Sequence, residues 1–279
     1  MELRVMTFNV RNEHQDTDQN AWVNRRSMVA DVLRTLQPDV VGLQESSGDI
    51  QLAELDKAVP GLRLLTIDGQ DQGRRNSILY RTDRFTVDSA GIFWYSDTPE
   101  VFSTHWGNSY PRSCTWARFV EAETGGGFYH FNTHLDHKSE NSRRNSIQML
   151  TKRIAGRSHK EPFVVTGDFN SGEDSVVVNY LKGGQIVDLK DAPILPNPVP
   201  LVDSFRAYHP DAHSVGTGHG FAGRRTGSKI DYVFISATIK VLEARIITTE
   251  EDSRYPSDHF PVTATVRLPD PSDLRPPRM

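Results

Sequence analysis

Six short polar motifs are spread along the chain, each at the end of an apolar run, and together they hold the residue types of a hydrolytic metal site. The motifs are Thr7-Phe8-Asn9, Gln44-Glu45, Asn132-Thr133-His134, Gly167-Asp168-Phe169-Asn170, Lys229-Ile230-Asp231-Tyr232 and Ser257-Asp258-His259. Carboxylate and amide oxygens suit a hard cation such as Mg²⁺, and histidine and aspartate are common general acids and bases. The pattern therefore predicts one hydrolytic site to which residues from the whole length of the chain contribute.

Several of these polar side chains are predicted to lie at strand ends. Asn9 ends the first predicted strand and Glu45 ends the second, and neighbouring strand ends lie close together in a sheet. Asp168 and Asn170 emerge from another apolar strand with their side chains on the same side. The alternative for Asn9 is a turn asparagine, and that for Glu45 is an exposed glutamate. Asp168 and Asn170 could also be turn residues, because Asp and Asn are common in turns.

Asp231 lies within an apolar run that continues to Ile235, where an unpaired carboxylate would be costly. Histidine is the available partner type, and His259 directly follows Asp258. We therefore predict an Asp231–His259 pair in which the carboxylate fixes the imidazole tautomer. The alternative is an Asp231 that caps a neighbouring turn.

Short apolar strands alternate with amphipathic helices along the chain. The predicted strands cover residues 3–8, 40–43, 77–80, 128–132, 163–166, 230–235 and 262–266. One helix is predicted around 28–36, before the stop signal Pro38, and a second around 147–154, before Gly156. The number of strands and the mixture of connection lengths favour a mixed α/β sandwich over a regular parallel α/β fold.

The spread of the motifs also bears on the domain organisation. Because they extend from position 9 to position 259, their convergence favours a single domain, predicted to span 1–268. A proline-rich stretch at 193–200 is predicted to be a stiff loop inside that domain, and the tail 269–279 is predicted to be disordered. The single cysteine, Cys114, excludes an internal disulfide.

The charge balance disfavours long polyanions as partners. The chain has 32 basic and 36 acidic side chains and a net charge of −4, whereas nonspecific nucleic-acid binders usually present a positive face. Arginine pairs at 74–75, 143–144 and 224–225 are either solvated surface or the lining of a groove. No apolar stretch approaches the roughly 20 residues of a membrane span, and no signal-peptide pattern opens the chain. We therefore expect a soluble, cytoplasmic protein with no obligate protein partner, and a trimmed secretion leader is the alternative.

The ordered set of motifs resembles the endonuclease/exonuclease/phosphatase superfamily, in which deoxyribonuclease I-like enzymes, deadenylases, sphingomyelinases and inositol-polyphosphate phosphatases are found. The resemblance extends from Asn9 to His259. It implies a four-layer α/β sandwich, two packed mixed sheets flanked by helices, with the active site at one edge. The segment 93–116 and the glycine-rich loop 216–221 resemble a bacterial branch whose substrates the motifs do not assign.

The resemblance also implies roles for individual residues. Glu45 would be the principal metal ligand, with Asn9 and Asp258 near the ion, which is expected to be Mg²⁺ or Mn²⁺. Asp168 would orient or deprotonate the attacking water. The remaining catalytic residues would be His134 and Asn170, which hold the scissile phosphate, and His259, held by Asp231, which acts as a base or as a cationic stabiliser.

Four further residues are candidates for substrate binding. Asn76 begins a strand that matches the family pattern, and Arg112 and Trp116 lie in an aromatic segment suited to phosphate binding and ring stacking. His219 lies in the glycine-rich loop before the Asp231 strand. Turn, core and mobile-loop roles are the alternatives for these residues.

The predicted function is divalent-metal-dependent hydrolysis of a phosphodiester or phosphomonoester, with a small-molecule substrate favoured over nucleic acid. A nuclease is one alternative, and a catalytically inactive binding module on the same fold is another. The string Thr133-His134-Leu135-Asp136-His137 also partly resembles that of dinuclear zinc hydrolases of the metallo-β-lactamase type. That reading lacks the earlier histidine of the string, because Asn132 stands there, and it leaves the other motifs unexplained.

Overall fold

The computed structural model describes residues 1–46, 48–67, 76–184 and 196–269, which form two six-stranded mixed sheets with helices on their outer sides. The strands are β1 (Glu2–Asn9), β2 (Val40–Gln44), β3 (Leu62–Leu64), β4 (Ile78–Arg81), β5 (Phe85–Trp94), β6 (Ser113–Glu121), β7 (Gly127–His134), β8 (Phe163–Asp168), β9 (Leu201–Asp203), β10 (Asp231–Ser236), β11 (Lys240–Ile246) and β12 (Val262–Arg267). The helices are α1 (Trp22–Leu36), α2 (Asp49–Ala58), α3 (Glu140–Ala155), α4 (Val176–Leu181) and α5 (Ser204–Tyr208). The predicted four-layer sandwich is confirmed.

The strand order explains why distant motifs meet. One sheet has the order β11-β12-β1-β2-β4-β3 and the other β5-β6-β7-β8-β10-β9. Each contains one parallel pair, β1 with β2 and β7 with β8. The sheets pack together through β1 and β2 on one side and β7, β8 and β10 on the other. Parallel strands end at the same sheet edge, so the polar residues that follow these four strands come together.

A buried polar network joins the two sheets beneath that edge. The Asn132 amide donates to the carbonyls of Leu43, at 2.8 Å, and Ser77, at 2.9 Å. Its oxygen accepts from Gln44 Nε2 at 2.7 Å and from Thr166 Oγ1 at 3.0 Å. Because all four hydrogen bonds of this buried amide are made, the network fixes the position of one sheet relative to the other.

Gly42 permits this close approach of the sheets. A Cβ atom there would lie 2.0 Å from Thr166 Oγ1 and 2.4 Å from Asn132 Oδ1. Any other residue would therefore force the two sheets apart or break the network.

The helices cover the outer faces through apolar stripes. On α1 the buried residues include Met28, Val29, Val32 and Leu33, which recur at the predicted helical spacing. Helix α3 is capped by Ser139, whose hydroxyl accepts from the backbone N–H of Ser142 at 3.1 Å. In the part of the chain that the structure describes, no helix is long and apolar enough to cross a membrane.

All seven predicted strands and both predicted helices are present. The strand ends agree to within two residues, whereas α1 and α3 begin well before the predicted starts, at Trp22 and Glu140. Asp231 is the first residue of β10, although we expected it inside the strand. Strands β3, β5, β6, β9 and β11 and helices α2, α4 and α5 were not predicted. Most of these elements are short or carry charged and polar residues on an exposed side, which weakens the periodic signal.

The remaining sequence predictions fall partly outside the described residues. Residues 196–200 form no helix or strand, as expected for the proline-rich loop, but 193–195 lie outside the described ranges. The arginine pair 74–75 and the tail beyond Pro269 also lie outside them. Arg143 and Arg144 belong to α3, and neither they nor Arg224 and Arg225 line the cavity described next.

Candidate active site

The segments that follow β1 and β2 and the ends of β7 and β8 border one cavity of about 1330 Å³. Its lining includes six of the residues that the motifs singled out, namely Glu45, His134, Asp168, Asn170, Asp258 and His259. The convergence required of widely separated motifs is therefore observed.

The predicted Asp231–His259 pair is formed. His259 Nδ1 lies 2.9 Å from Asp231 Oδ2, and its Nε2 lies 3.9 Å from Asp168 Oδ2. Since Nδ1 faces Asp231, the Nε2 side of the imidazole faces the cavity and Asp168.

Electrostatics around this pair favour a positively charged imidazole. Burial lowers the pKa of His259, but the carboxylates of Asp231 and Asp168 outweigh burial and raise that pKa well above its ordinary value. Burial, and secondarily the charge of Asp231, raises the pKa of Asp168 to about 7. Asp168 can therefore gain and lose a proton near neutral pH, as an acid–base residue must.

Asn9 is buried outside the cavity lining and connects the two sheets through Glu45 and Asp168, which do line it. Its Nδ2 donates to Glu45 Oε1 and to Asp168 Oδ2, both at 3.1 Å, while its Oδ1 accepts from the backbone N–H of Arg11 at 3.0 Å. The Arg11 N–H fixes which side of the amide carries oxygen. Asn9 thus presents N–H donors to the two carboxylates and sets their separation.

Glu45 reaches the cavity through an unusual backbone conformation. Its φ is 60°, in the left-handed region that non-glycine residues rarely occupy. The backbone N–H of Asn12 donates to its second carboxylate oxygen at 3.3 Å. Asn170 has φ 47° and Arg11 has φ 56°, so three residues of the cavity lining are left-handed, and such conformations cluster at functional positions.

Asn170 and His134 form a second polar cluster on the side of β7 and β8. Asn170 Nδ2 donates to the Leu135 carbonyl at 3.0 Å and lies 3.1 Å from His134 Nε2. The Asn170 backbone N–H donates to Asp168 Oδ1 at 2.9 Å, and His134 Nε2 lies 3.4 Å from Asp168 Oδ2. The register of the parallel pair, which sets His134 opposite Asp168, produces this cluster.

Arg112 is a nearly buried cation in the cavity wall, with 8% of its surface exposed. Its Nε lies 3.6 Å from Asp136, beyond hydrogen-bond distance, and its terminal nitrogen lies 3.1 Å from His137 Nδ1. Asp136 is fully buried and accepts three backbone N–H groups at 2.8–2.9 Å, from Ser109, Lys138 and Ser139. The Arg112 charge is thus only partly neutralised, which suits it to an anion.

The same contacts explain the string that resembles a zinc motif. Asp136 is occupied by backbone donors, His137 by Arg112 and His134 by Asn170. The string therefore supports the cavity wall, and in the described residues its three side chains do not converge on a common metal position.

Arg11 and Arg25 were missed by the sequence analysis. Arg11 lines the cavity and pairs with Asp258 at 3.0 Å and with Asp16 at 2.9 Å. Buried Arg25 donates to the carbonyls of Val10, Arg11 and Pro256, which ties the segment after β1 to the segment that carries Asp258. The one available signal was a single arginine, Arg25, on the otherwise apolar face of α1, and it did not reveal these partners.

His219 does not line the cavity, although its loop holds the catalytic segment. The backbone N–H groups of His219 and Gly220 donate to the Asp258 carbonyl at 2.8 and 3.0 Å. The His219 ring stacks on Phe260 with centroids 3.9 Å apart, and burial lowers its pKa to about 4. The observed contacts of His219 therefore position Asp258 and His259.

The structure also places Asn76 and Trp116 outside the cavity lining. Asn76 is buried and donates to the Ser113 carbonyl at 2.9 Å. Trp116 packs against Tyr129 and Phe131, on the apolar layer of the second sheet that helix α3 covers. Asn76 lies in a bend and Trp116 packs against the core, and these environments correspond to the turn and core roles considered as alternatives.

A divalent cation suits the donor set at this site. Glu45, Asp168 and Asp258 line one cavity and offer the carboxylate oxygens that hard cations prefer. One atom each from Asp168, Asp231 and His259 also lies within 4.8 Å of the others, but Asp231 and His259 already hydrogen-bond each other through those atoms. Glu45, which lines the cavity and has a left-handed backbone conformation, is therefore more available as a metal ligand than Asp231 or His259.

Comparisons with known proteins agree with this geometry. An endonuclease/exonuclease/phosphatase family protein of known structure from Bacteroides vulgatus is 27% identical, with a TM-score of 0.83, and the match covers 96% of this chain and 100% of that one. A mannosyl-6-phosphatase from Bacteroides thetaiotaomicron is 30% identical, with a TM-score of 0.80 and the same coverage. An uncharacterized protein of Acanthamoeba polyphaga mimivirus is 27% identical over 171 residues, or 58% of this chain and 63% of that protein.

The family model described as Endonuclease/Exonuclease/phosphatase family matches residues 6–259, a range that includes all six motifs. With the sandwich fold, the family model and the convergent site in agreement, the chain belongs to the endonuclease/exonuclease/phosphatase family.

Proposed function

We propose that this protein is a divalent-metal-dependent phosphoesterase that hydrolyses a small phosphoester by in-line attack of water. The observation that carries the proposal is the contact chain in the cavity. Asn9 holds Glu45 and Asp168 together, while Asp231 holds His259 beside Asp168. One candidate metal ligand, one acid–base carboxylate and one cationic imidazole thus lie side by side.

Each group has a role that follows from its surroundings. Glu45, with Asp258 near it, would hold Mg²⁺ or Mn²⁺, and that ion would neutralise charge on the phosphoryl oxygens. Asp168, with its pKa raised to about 7, would accept the proton of the attacking water. His259, kept cationic by Asp231, would stabilise the negative charge that develops in the transition state.

Further donors in the cavity suit the phosphoryl oxygens themselves. Asn170 and His134 lie next to Asp168, and Arg112 contributes a partly neutralised guanidinium. Such groups would fix the phosphorus in line with the water, which is most of what a protein contributes to phosphoryl transfer.

Two observations favour a small phosphoester over nucleic acid. The net charge is −4, and Arg143, Arg144, Arg224 and Arg225 lie outside the cavity lining. The relative with 30% identity along nearly the whole chain is a mannosyl-6-phosphatase. We therefore expect a phosphomonoester of a small molecule to be the preferred substrate.

A substrate screen with the full chain tests this function. Phosphomonoesters, a chromogenic phosphodiester, single-stranded RNA and DNA, and duplex DNA would be compared with Mg²⁺, Mn²⁺ or Zn²⁺. We expect Mg²⁺- or Mn²⁺-dependent release of phosphate from small monoesters. Cleavage of polymers in preference to small esters would identify a nuclease, and ligand binding without turnover would identify an inactive binding module.

The metal role is tested separately with Glu45→Gln. Loss of one carboxylate charge should weaken Mn²⁺ binding, measured by calorimetry on the protein without substrate, by about tenfold or more. Glu100→Gln is the matched control, because Glu100 is an exposed carboxylate that pairs with Arg153 outside the cavity lining. Equal Mn²⁺ affinity in the wild type and Glu45→Gln would exclude Glu45 as a principal ligand.

A further inference from the structure

One wall of the cavity is formed by Arg112, His137 and Tyr110, and the last two have no part in the catalytic steps proposed above. Tyr110 lines the cavity with 51% of its surface exposed, which is unusual for a large aromatic side chain. Its ring lies nearly parallel to that of His137, with centroids 6.2 Å apart and an interplanar angle of 22°. The pair presents an aromatic surface to the cavity.

The contacts of Arg112 fix the tautomer of His137. A guanidinium has only donors, so His137 Nδ1, at 3.1 Å from the Arg112 nitrogen, must accept a hydrogen bond. The proton of a neutral His137 is therefore on Nε2, and burial together with the Arg112 charge lowers the pKa of His137 and keeps it neutral. Buried Asp136, held by three backbone N–H groups, forms an ion pair with Arg112 at 3.6 Å. His137 thus offers one N–H donor whose direction is set by an anchored neighbour.

The rest of the lining is mainly polar, with hydroxyl, amide, carboxylate and guanidinium groups from Thr66, Gln15, Asp56 and Arg63. Its aliphatic residues are Leu52, Ala53 and Leu64. A volume of about 1330 Å³ is far more than a phosphate group fills, so the cavity has room for a leaving group beside the catalytic residues.

This composition distinguishes between two kinds of ring. A nucleobase is flat and is held best by stacking of its faces against aromatic rings or guanidinium planes. A sugar ring has an apolar C–H face that packs against one aromatic ring, and hydroxyls around its edge that require polar partners. One aromatic surface facing a polar lining fits the sugar ring.

We propose that Tyr110 and His137 are specificity-determining residues that hold the leaving group, and that this group is the hydroxylated ring of a sugar phosphate. Tyr110 packs against the C–H face of the ring, and His137 donates to a ring hydroxyl. Arg112 links this subsite to the catalytic groups, because it contacts His137 and lines the same cavity as Asp168 and Glu45. The inference rests on the proposed phosphoesterase activity and names its substrate class.

The test is the selectivity of the metal-loaded full chain between hexose 6-phosphates and glycerol phosphate, which has hydroxyls but no ring. Tyr110→Ala should lower the ratio of kcat/KM for the hexose phosphate to that for glycerol phosphate by about tenfold, mainly through KM. His137→Ala should lower the same ratio by a similar factor, because one hydrogen bond is lost. Tyr110→Phe keeps the ring and should retain the wild-type ratio.

Tyr208→Ala is the matched control, because Tyr208 is 45% exposed and also packs against a neighbouring histidine, His209, but lies outside the cavity lining. An unchanged ratio in Tyr110→Ala, or a preference of the wild type for nucleoside monophosphates, would overturn the sugar assignment. If the proposed function itself is wrong, the result is different: the wild type would hydrolyse neither hexose phosphate nor glycerol phosphate with any metal. The sugar subsite would then be rejected as well.

Discussion

His130 and His259 are both largely shielded from solvent, yet their surroundings favour opposite charge states. His130 is fully buried on β7, its Nε2 lies 2.7 Å from Thr166 Oγ1, and burial lowers its pKa to about 3. His259 has two carboxylates near it, and these raise its pKa well above the ordinary value despite burial.

The difference shows what makes a buried histidine functional in this fold. A hydroxyl partner such as Thr166 pairs with one nitrogen of a neutral imidazole and adds no charge, so His130 supports the packing of the sheets. A carboxylate partner at a strand start, such as Asp231, holds an imidazolium at the cavity. Burial alone therefore does not distinguish structural from catalytic histidines, but the identity of the partner does.

The largest expected consequence of this contrast concerns turnover. His259→Ala should lower kcat by about 10² or more, because the cationic group beside Asp168 is lost. The measurement is steady-state kinetics with Mg²⁺ on the small phosphomonoester preferred in the screen. His105→Ala is the control, since His105 also pairs with an aspartate, Asp97, at 2.9 Å but outside the cavity lining. Near-normal kcat in His259→Ala would refute its assignment to the catalytic set.

Much of this site could be predicted from the sequence, because many of its residues lie at the ends of strands. Asn9, Glu45 and Asp168 follow strongly apolar strands, and parallel pairing brings such ends together whatever the loops between them do. The Asp231–His259 pair could be predicted because a carboxylate at the start of an apolar strand needs a partner.

The cavity wall could not be predicted in this way. Asp136 pairs with Arg112 and also accepts the backbone N–H of Ser109, which lies in the segment between β5 and β6. The conformation of that loop is not encoded in any periodic pattern of the sequence. Trp116 illustrates a second limit. Without β6 in the prediction, there was no way to assign its ring to the face that packs against Phe131.

A second test of the contrast concerns stability in acid, and it depends on His130. Unfolding exposes this imidazole and returns its pKa to the ordinary 6.5, whereas in the folded protein the pKa is about 3. The unfolded state therefore binds the extra proton as the pH falls below 6.5, so stability is lost with acidification. Between pH 6.5 and about 4.5 this group should remove about 2 kcal/mol from the free energy of unfolding.

His130→Gln isolates that contribution, because glutamine can still donate to Thr166 but does not titrate. Urea unfolding of both proteins at the two pH values gives the comparison. The loss of stability on acidification should be smaller in the variant by about 2 kcal/mol. Identical losses in the two proteins would show that His130 is not the buried neutral histidine that causes them.

The smallest expected effect, and the most direct test of the contrast, is the charge state of His259 itself. Asp231→Asn keeps a hydrogen-bonding group against Nδ1 but removes the carboxylate charge. The effect of burial, which lowers the pKa of the imidazole, is then opposed by less negative charge. The pKa of His259, followed by NMR of the imidazole nitrogens in the metal-free protein, should fall by about 1 or more. Asp97→Asn, which removes a carboxylate beside His105, should leave the His259 signal unchanged. If Asp231→Asn also left it unchanged, the charge of His259 would have to come from Asp168 alone, and the distinction between a hydroxyl partner and a carboxylate partner would no longer account for the two histidines.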